Sequence, residues 1–188
     1  ADQGGGVIGA LGTHAFDMLA WLIGPVASVQ TLNSVSIQQR PHPDGGMAPV
    51  DASDVSLVQA SLQWQGRPEL PVPAQVCLSS VSRNGRGFCL DITGSDGSLM
   101  LSSSNQKDYV HGFELQHAAL GESFRSVPAD DDLAFDQTWS DGRIAPVARV
   151  LGWWAQSIRS GKPMIPGLAE GVQSRDACDQ TEGPLAHA

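Results

Sequence analysis

From Val26 to Val127 the chain repeats with a period of two residues, broken at short intervals by glycine and proline. No other feature constrains the fold as strongly, because successive side chains take opposite faces only in an extended strand. Val26 to Gln39 alternates and is rich in Val, Ser, Thr and Ile, which predicts a strand with one wet face. Ser53 to Trp64 alternates again, and Ala74 to Arg83 predicts a third strand. Gly87 to Thr93 and Ser98 to Ser103 flank Gly94-Ser95-Asp96-Gly97, a strong hairpin signal. Val110 to Gln116 and Glu122 to Val127 read as two weaker strands. Arg40 to Val50, with Pro41, Pro43, Gly45, Gly46 and Pro49, reads as an exposed loop, and Gly66 to Pro73 as a proline-rich turn.

Helical periodicity flanks this region. In Val7 to Ile23, Leu11, Ala15, Met18, Leu19 and Leu22 form an apolar stripe, and Gly24-Pro25 supplies the stop. The opposite side carries Ala10, His14, Asp17 and Trp21. Asp130 to Asp132 can cap a short helix through Phe135. Ile144 to Arg159 predicts a second long helix, with Val147, Val150, Leu151, Trp154 and Ile158 on its stripe. Trp153 and Trp154 face different directions, so one is expected in the core and the other over the sheet or at an interface. Leu168 to Thr181 reads as a third helix and Glu182 to Ala188 as a tail. Runs of strands beside runs of helices give an α+β fold: an open, mostly antiparallel β-sheet with helices packed on one face. Residues 1–181 are expected to form one domain, followed by the tail 182–188.

Net charge is −9, the only lysines are Lys107 and Lys162, and basic residues do not cluster. A nucleic-acid or anionic-membrane partner needs a basic surface, so neither is expected. Cys77, Cys89 and Cys178 are far apart and odd in number, which points to free, buried thiols and a cytoplasmic setting. No apolar run is long enough to cross a membrane. The start, Ala1-Asp2-Gln3 running into Gly4-Gly5-Gly6, reads as the middle of a longer polypeptide.

Chemistry-bearing residues are few. Gly4, Gly6 and Gly9 spell G-x-G-x-x-G, but a dinucleotide fingerprint needs a preceding strand and an acid about 20 residues on. Neither is present, so the glycines read as a helix entry that lets the backbone approach something closely. His14 and Asp17, three apart on a helix, share a face, and the carboxylate could orient the imidazole. In Trp139 to Arg143, before the second long helix, Asp141 and Arg143 could reach a ligand, but such residues are more often a cap and a solvated charge. His111 and His117 would share a face of one continuous strand, but they lack a third ligand and no metal site is expected.

The string Gly4-Gly5-Gly6-Val7-Ile8-Gly9-Ala10-Leu11-Gly12-Thr13-His14-Ala15-Phe16-Asp17-Met18-Leu19-Ala20-Trp21-Leu22-Ile23-Gly24 resembles the GGG…GxHxxD…WLxG signature opening the C-terminal domain of the glucose–fructose oxidoreductase/inositol dehydrogenase (Gfo/Idh/MocA) family. Ile92 to Leu99 resembles its GxxGxL hairpin, and Ile158-Arg159-Ser160-Gly161-Lys162-Pro163 its closing helix end. The resemblance implies a two-domain oxidoreductase acting on a sugar, polyol or related hydroxy or carbonyl compound. An N-terminal Rossmann domain, absent from this chain, would bind NAD or NADP, so no cofactor-binding residue is expected here and the isolated chain is expected to be inactive. The family's acid/base histidine maps onto His14, and Asp17 onto an acid of mainly structural role. With an ordinary pKa near ~6.5, histidine suits proton transfer at neutral pH. Many polyol-oxidising members place an aspartate four residues before the histidine; Ala10 stands there. The open sheet face is expected to pair with a second copy. The competing expectation is a non-catalytic self-association or ligand-binding module.

Overall fold

The computed structural model describes residues 5–130 and 133–181. Gly4, Asp131, Asp132 and the tail 182–188, on which parts of the sequence reading fall, lie outside the described residues. The chain divides into two compact units, one of Ala1–Arg83 with Ile165–Ala188 and one of Asn84–Met164. All strand pairs are antiparallel, and they form sheets of three, two and four strands.

In the first unit, the stretch Ile8–Gly12 is π-helical and continues into α1, Thr13–Leu22. A three-stranded sheet follows, in the order β1 (Val26–Ser34), β4 (Val55–Gln63), β5 (Pro71–Ser79). Alternation sends Ser56, Val58, Ala60 and Leu62 of β4 inward, where they are buried. Val7, Ile8, Phe16, Val58, Leu78, Ala177 and Cys178 form the core, so the helices cover one face of this sheet. The final helix, α3 (Leu168–Asp179), is tied on by polar groups: Asn33 Nδ2 donates to the Thr181 carbonyl at 2.9 Å, and Ser56 Oγ donates to Asn33 Oδ1 at 2.7 Å. Gly24 has φ +149°, and a side chain there would collide with the Gln63 carbonyl, so only glycine can turn the chain from α1 into β1.

The buried side of the first helix differs from the predicted stripe. Val7, Ile8, Gly12, Phe16 and Leu19 face the core, while Leu11 and Leu22 are exposed. Ala15 and Leu19 of the predicted stripe do pack on the core, but Phe16, which lies outside that stripe, is fully buried there.

The expected strand to Gln39 stops at Ser34, because Asp54 captures the chain beyond it. The buried Asp54 carboxylate accepts from Ser36 N–H at 2.8 Å and Ile37 N–H at 2.9 Å. The expected loop 40–50 carries a short ribbon, β2 (Gln39–Pro41) with β3 (Met47–Pro49), closed by Gly45 and Gly46, both at positive φ. Pro71 and Pro73, read as turn, belong to β5, where an edge strand tolerates them.

The second unit holds a four-stranded meander: β6 (Phe88–Thr93), β7 (Gly97–Ser103), β8 (Glu114–Ala119) and β9 (Arg125–Val127). The β6–β7 hairpin closes where the sequence signals it, with Gly94 N–H donating to the Gly97 carbonyl at 2.9 Å. One face gathers Phe88, Leu90 and Ile92 with Leu99, Leu101, Leu115 and Val127. The stretch 105–112 is a set of turns instead of a strand; Leu133, in the short helix expected after Asp130, is in 3-10 conformation, while its expected caps Asp131 and Asp132 lie outside the described residues. The helix α2 spans Ile144–Ser160 and ends at Gly161 in the left-handed conformation. Its predicted core stripe is exposed: Val147 is 58%, Trp154 57% and Ile158 68% accessible, and Trp153 is exposed as well.

Asp54 is a buried anion held by backbone donors. Burial alone would raise its pKa, but the hydrogen bonds from Ser36 and Ile37 outweigh it and hold the carboxyl below the ordinary value. A carboxyl depressed in the folded state stabilises above its unfolded pKa of about 3.9 and ceases to do so as pH falls through the folded value. Asp54→Asn is therefore expected to lower stability by about 1–2 kcal/mol at pH 7 and to flatten the acid limb of a denaturation profile.

Candidate active site

His14 sits in the first turn of α1, immediately after the π-helical stretch. The glycine-rich entry has a structural partner. Gly6 adopts φ +88°, and a Cβ on it would lie 2.9 Å from the Ser53 carbonyl oxygen. Val7 N–H donates to that same carbonyl at 2.8 Å. The close approach expected of these glycines is thus made to the loop before β4.

With Val7, Ile8, Phe16 and Leu19 buried, the opposite side of the helix faces water. His14, Ala10 and Trp21 are exposed there, and Asp17 is half-buried. No hydrogen bond or ion pair joins His14 to Asp17 among the described residues. His14 is exposed, and Ala10, four residues before it, offers no carboxylate.

The second unit has a cleft of about 470 Å³ between the turns 105–111 and the segment 138–143. It brings together Asp141, Arg143 and His111 with Lys107, Asp108 and Trp139, which the sequence reading did not connect. Arg143 and Asp141 form a fork: Nη2 donates to Oδ2 at 2.7 Å and Nε to Oδ1 at 2.9 Å. These bonds, the Arg143 backbone N–H and the guanidinium charge hold the Asp141 carboxyl down at about 2. Asp108 Oδ1 accepts from the backbone of Val110 and His111 and lies 3.7 Å from His111 Nδ1. Gly142 packs against Asp108, and a Cβ on it would lie 2.7 Å from that oxygen. The charges of the cleft are largely spent on one another.

His111 lies in these turns and His117 in β8, so they do not share a strand. Among the described residues no His, Cys, Asp and Glu gather in threes as a metal site requires. Cys77 and Cys89 are exposed, contrary to expectation, because each falls on the outward face of its alternating strand. Only Cys178 is buried, and burial pushes its thiol pKa up. No described helix is long and apolar enough to cross a membrane.

The model of the oxidoreductase family's C-terminal alpha/beta domain, of Gfo/Idh/MocA type, matches residues 1–179. The chain belongs to this family. An uncharacterised oxidoreductase of Synechocystis sp. is 40% identical over 183 residues, covering 96% of this chain and 48% of the relative. The chain therefore spans about half the length of the curated relative it matches. Among solved structures, levoglucosan dehydrogenase in complex with NADH and L-sorbose superposes with a TM-score of 0.73 at 21% identity, over 95% of this chain and 48% of that one. An NAD-binding oxidoreductase from Klebsiella pneumoniae gives 0.74 at 17%, over 95% and 48%. A super-repressor mutant of Gal80p from Saccharomyces cerevisiae gives 0.61 at 13%, over 92% and 46%. At these identities the likeness to solved structures is one of fold.

The Asp141–Arg143 fork is open to a direct measurement. In a carboxyl-detected NMR titration Asp141 is expected to ionise near 2. In Arg143→Gln it should return toward the ordinary aspartate value of about 3.9.

Proposed function

We propose that this chain is the substrate-binding and oligomerising C-terminal half of a nicotinamide-dependent oxidoreductase acting on a sugar, polyol or related hydroxy or carbonyl compound. His14 is its acid/base. The observation that carries this reading is an imidazole exposed on the water side of a helix whose other side is clamped to the core. Oxidation of an alcohol removes a hydride from carbon and a proton from oxygen. The neutral ring of His14 takes that proton, and in the reverse direction returns it to the carbonyl oxygen. Asp17, half-buried three residues on, supports the helix face and not the ring.

NAD or NADP, when bound, would supply the hydride acceptor or donor. The residues present fit the substrate side of such a site and not the cofactor's phosphates, because Gly6 is turned to the Ser53 backbone. The cofactor is then held mainly by an N-terminal domain, and this chain alone turns nothing over. The NADH and L-sorbose of the levoglucosan dehydrogenase complex support the cofactor and substrate class.

Self-association belongs to the same reading. No residue of β1, β4 or β5 is charged, although the chain carries −9. The outward face aligns Gln30 with Gln59 and Gln75, and Leu32 with Leu57 and Cys77. Two acidic chains can approach there without facing like charges, and interface cores are poor in charged residues. The second reading, a non-catalytic self-association or ligand-binding module, draws on Ala10 and on the repressor-related neighbour of the same fold.

In the full-length protein, His14→Ala is expected to lower turnover by ~10² or more across a panel of sugars and polyols. If no panel member reduces NAD or NADP, or if turnover survives the substitution, the catalytic reading fails. Leu57→Lys should shift an oligomer toward monomer in light scattering, and a wild-type protein that stays monomeric at high concentration would remove the sheet-face pairing.

A further inference from the structure

The π-helical stretch is the irregular element nearest to His14. Runs of π-winding are rare, because the hydrogen bond spans five residues and the turn must absorb an extra one. One residue is worth about 100° of rotation in an α-helix. The winding of Ile8–Gly12 therefore sets the direction in which His14 leaves the helix relative to the core contacts of Val7 and Ile8.

Something must hold that winding in place, and α3 is packed against it. Cys178 is 2% exposed, and its thiol donates to the Ile8 carbonyl at 4.0 Å, a sulfur hydrogen bond made inside the π-turn. Gly12 lies directly beneath: a Cβ on it would stand 3.3 Å from Cys178 Sγ, 3.3 Å from Ile8 Cγ2 and 3.6 Å from the Phe16 ring. Cys178 is itself fixed. Thr181 Oγ1 donates to its carbonyl at 2.6 Å, the Thr181 carbonyl accepts from Asn33, and Asn33 accepts from Ser56 on β4. A continuous series of buried contacts thus runs from β4 through Asn33, Thr181 and Cys178 to the π-turn, and His14 stands two residues beyond Gly12.

We propose that Gly12 and Cys178 are positioning residues: the thiol, seated where Gly12 has no side chain, holds the π-turn that aims the His14 imidazole. The proposal rests on His14 being the acid/base. A misplacement of about 1 Å at a reacting group can cost ~10²-fold in rate, so a small shift of the turn has a large readout.

The test uses the full-length enzyme with its best sugar or polyol substrate. Gly12→Ala pushes a methyl group into the thiol, and Cys178→Ala removes the thiol without adding bulk. Each is expected to lower kcat by ~10-fold while KM stays within about two-fold, because the imidazole and not the substrate pocket moves. The double variant, in which the new methyl fills the space the sulfur left, should recover kcat above either single variant. In a His14→Ala background neither substitution should lower kcat further, since groups acting through one residue are not additive. Wild-type kcat in folded Gly12→Ala, or in Cys178→Ala if the first does not fold, overturns the proposal while His14→Ala remains impaired. Wild-type kcat in His14→Ala as well would instead overturn the reading of His14 itself.

Discussion

The first unit depends on the seating of Phe16 against the inner face of its sheet. The ring is completely buried and belongs to one cluster with Val7, Ile8, Val58, Leu78, Ala177 and Cys178. Cutting a buried phenylalanine back to alanine costs about 3–5 kcal/mol. Against a total stability of about 5–15 kcal/mol, that one contact is a large share. A helix with one side fixed so firmly has its other side fixed too, and that side carries His14.

Much of this was legible in the sequence, for identifiable reasons. Alternation located β4 and its inward Ser56, Val58, Ala60 and Leu62, because period two survives wherever one face is buried. The hairpin between β6 and β7 followed from turn chemistry. Two classes of feature were not legible. The first was local winding: nothing in the order Ile8-Gly9-Ala10-Leu11-Gly12 announces a π-turn. The second was long-range capture. Asp54 halts β1 by bonding to Ser36 and Ile37, a partnership across eighteen residues that no short window contains. The stripe on α2 shows a third limit. Apolar periodicity identified the helix, but periodicity does not say what the stripe meets, and the rest of this chain does not bury it.

The candidate site was legible in part. Helical spacing put His14 on the side away from the apolar stripe, and the residue is exposed there, but the hydrogen bond to Asp17 that the same spacing allowed is not made. The connection from Ser56 to Cys178 came from neither, because it joins segments more than a hundred residues apart and includes a main-chain carbonyl. Sequence motifs mark groups that touch a ligand. They are blind to the packing that sets the angle of those groups.

The prolines of β5 have a consequence for the open rim of the three-stranded sheet. Strands without charge, lying at an edge, are templates on which a foreign strand can grow, and fibrils begin that way. Pro71 and Pro73 alternate along that rim and have no amide hydrogen to offer a newcomer. Lateral growth is therefore discouraged at the margin while the broad flat side stays available, so a sheet without lysines or glutamates to guard it remains finite.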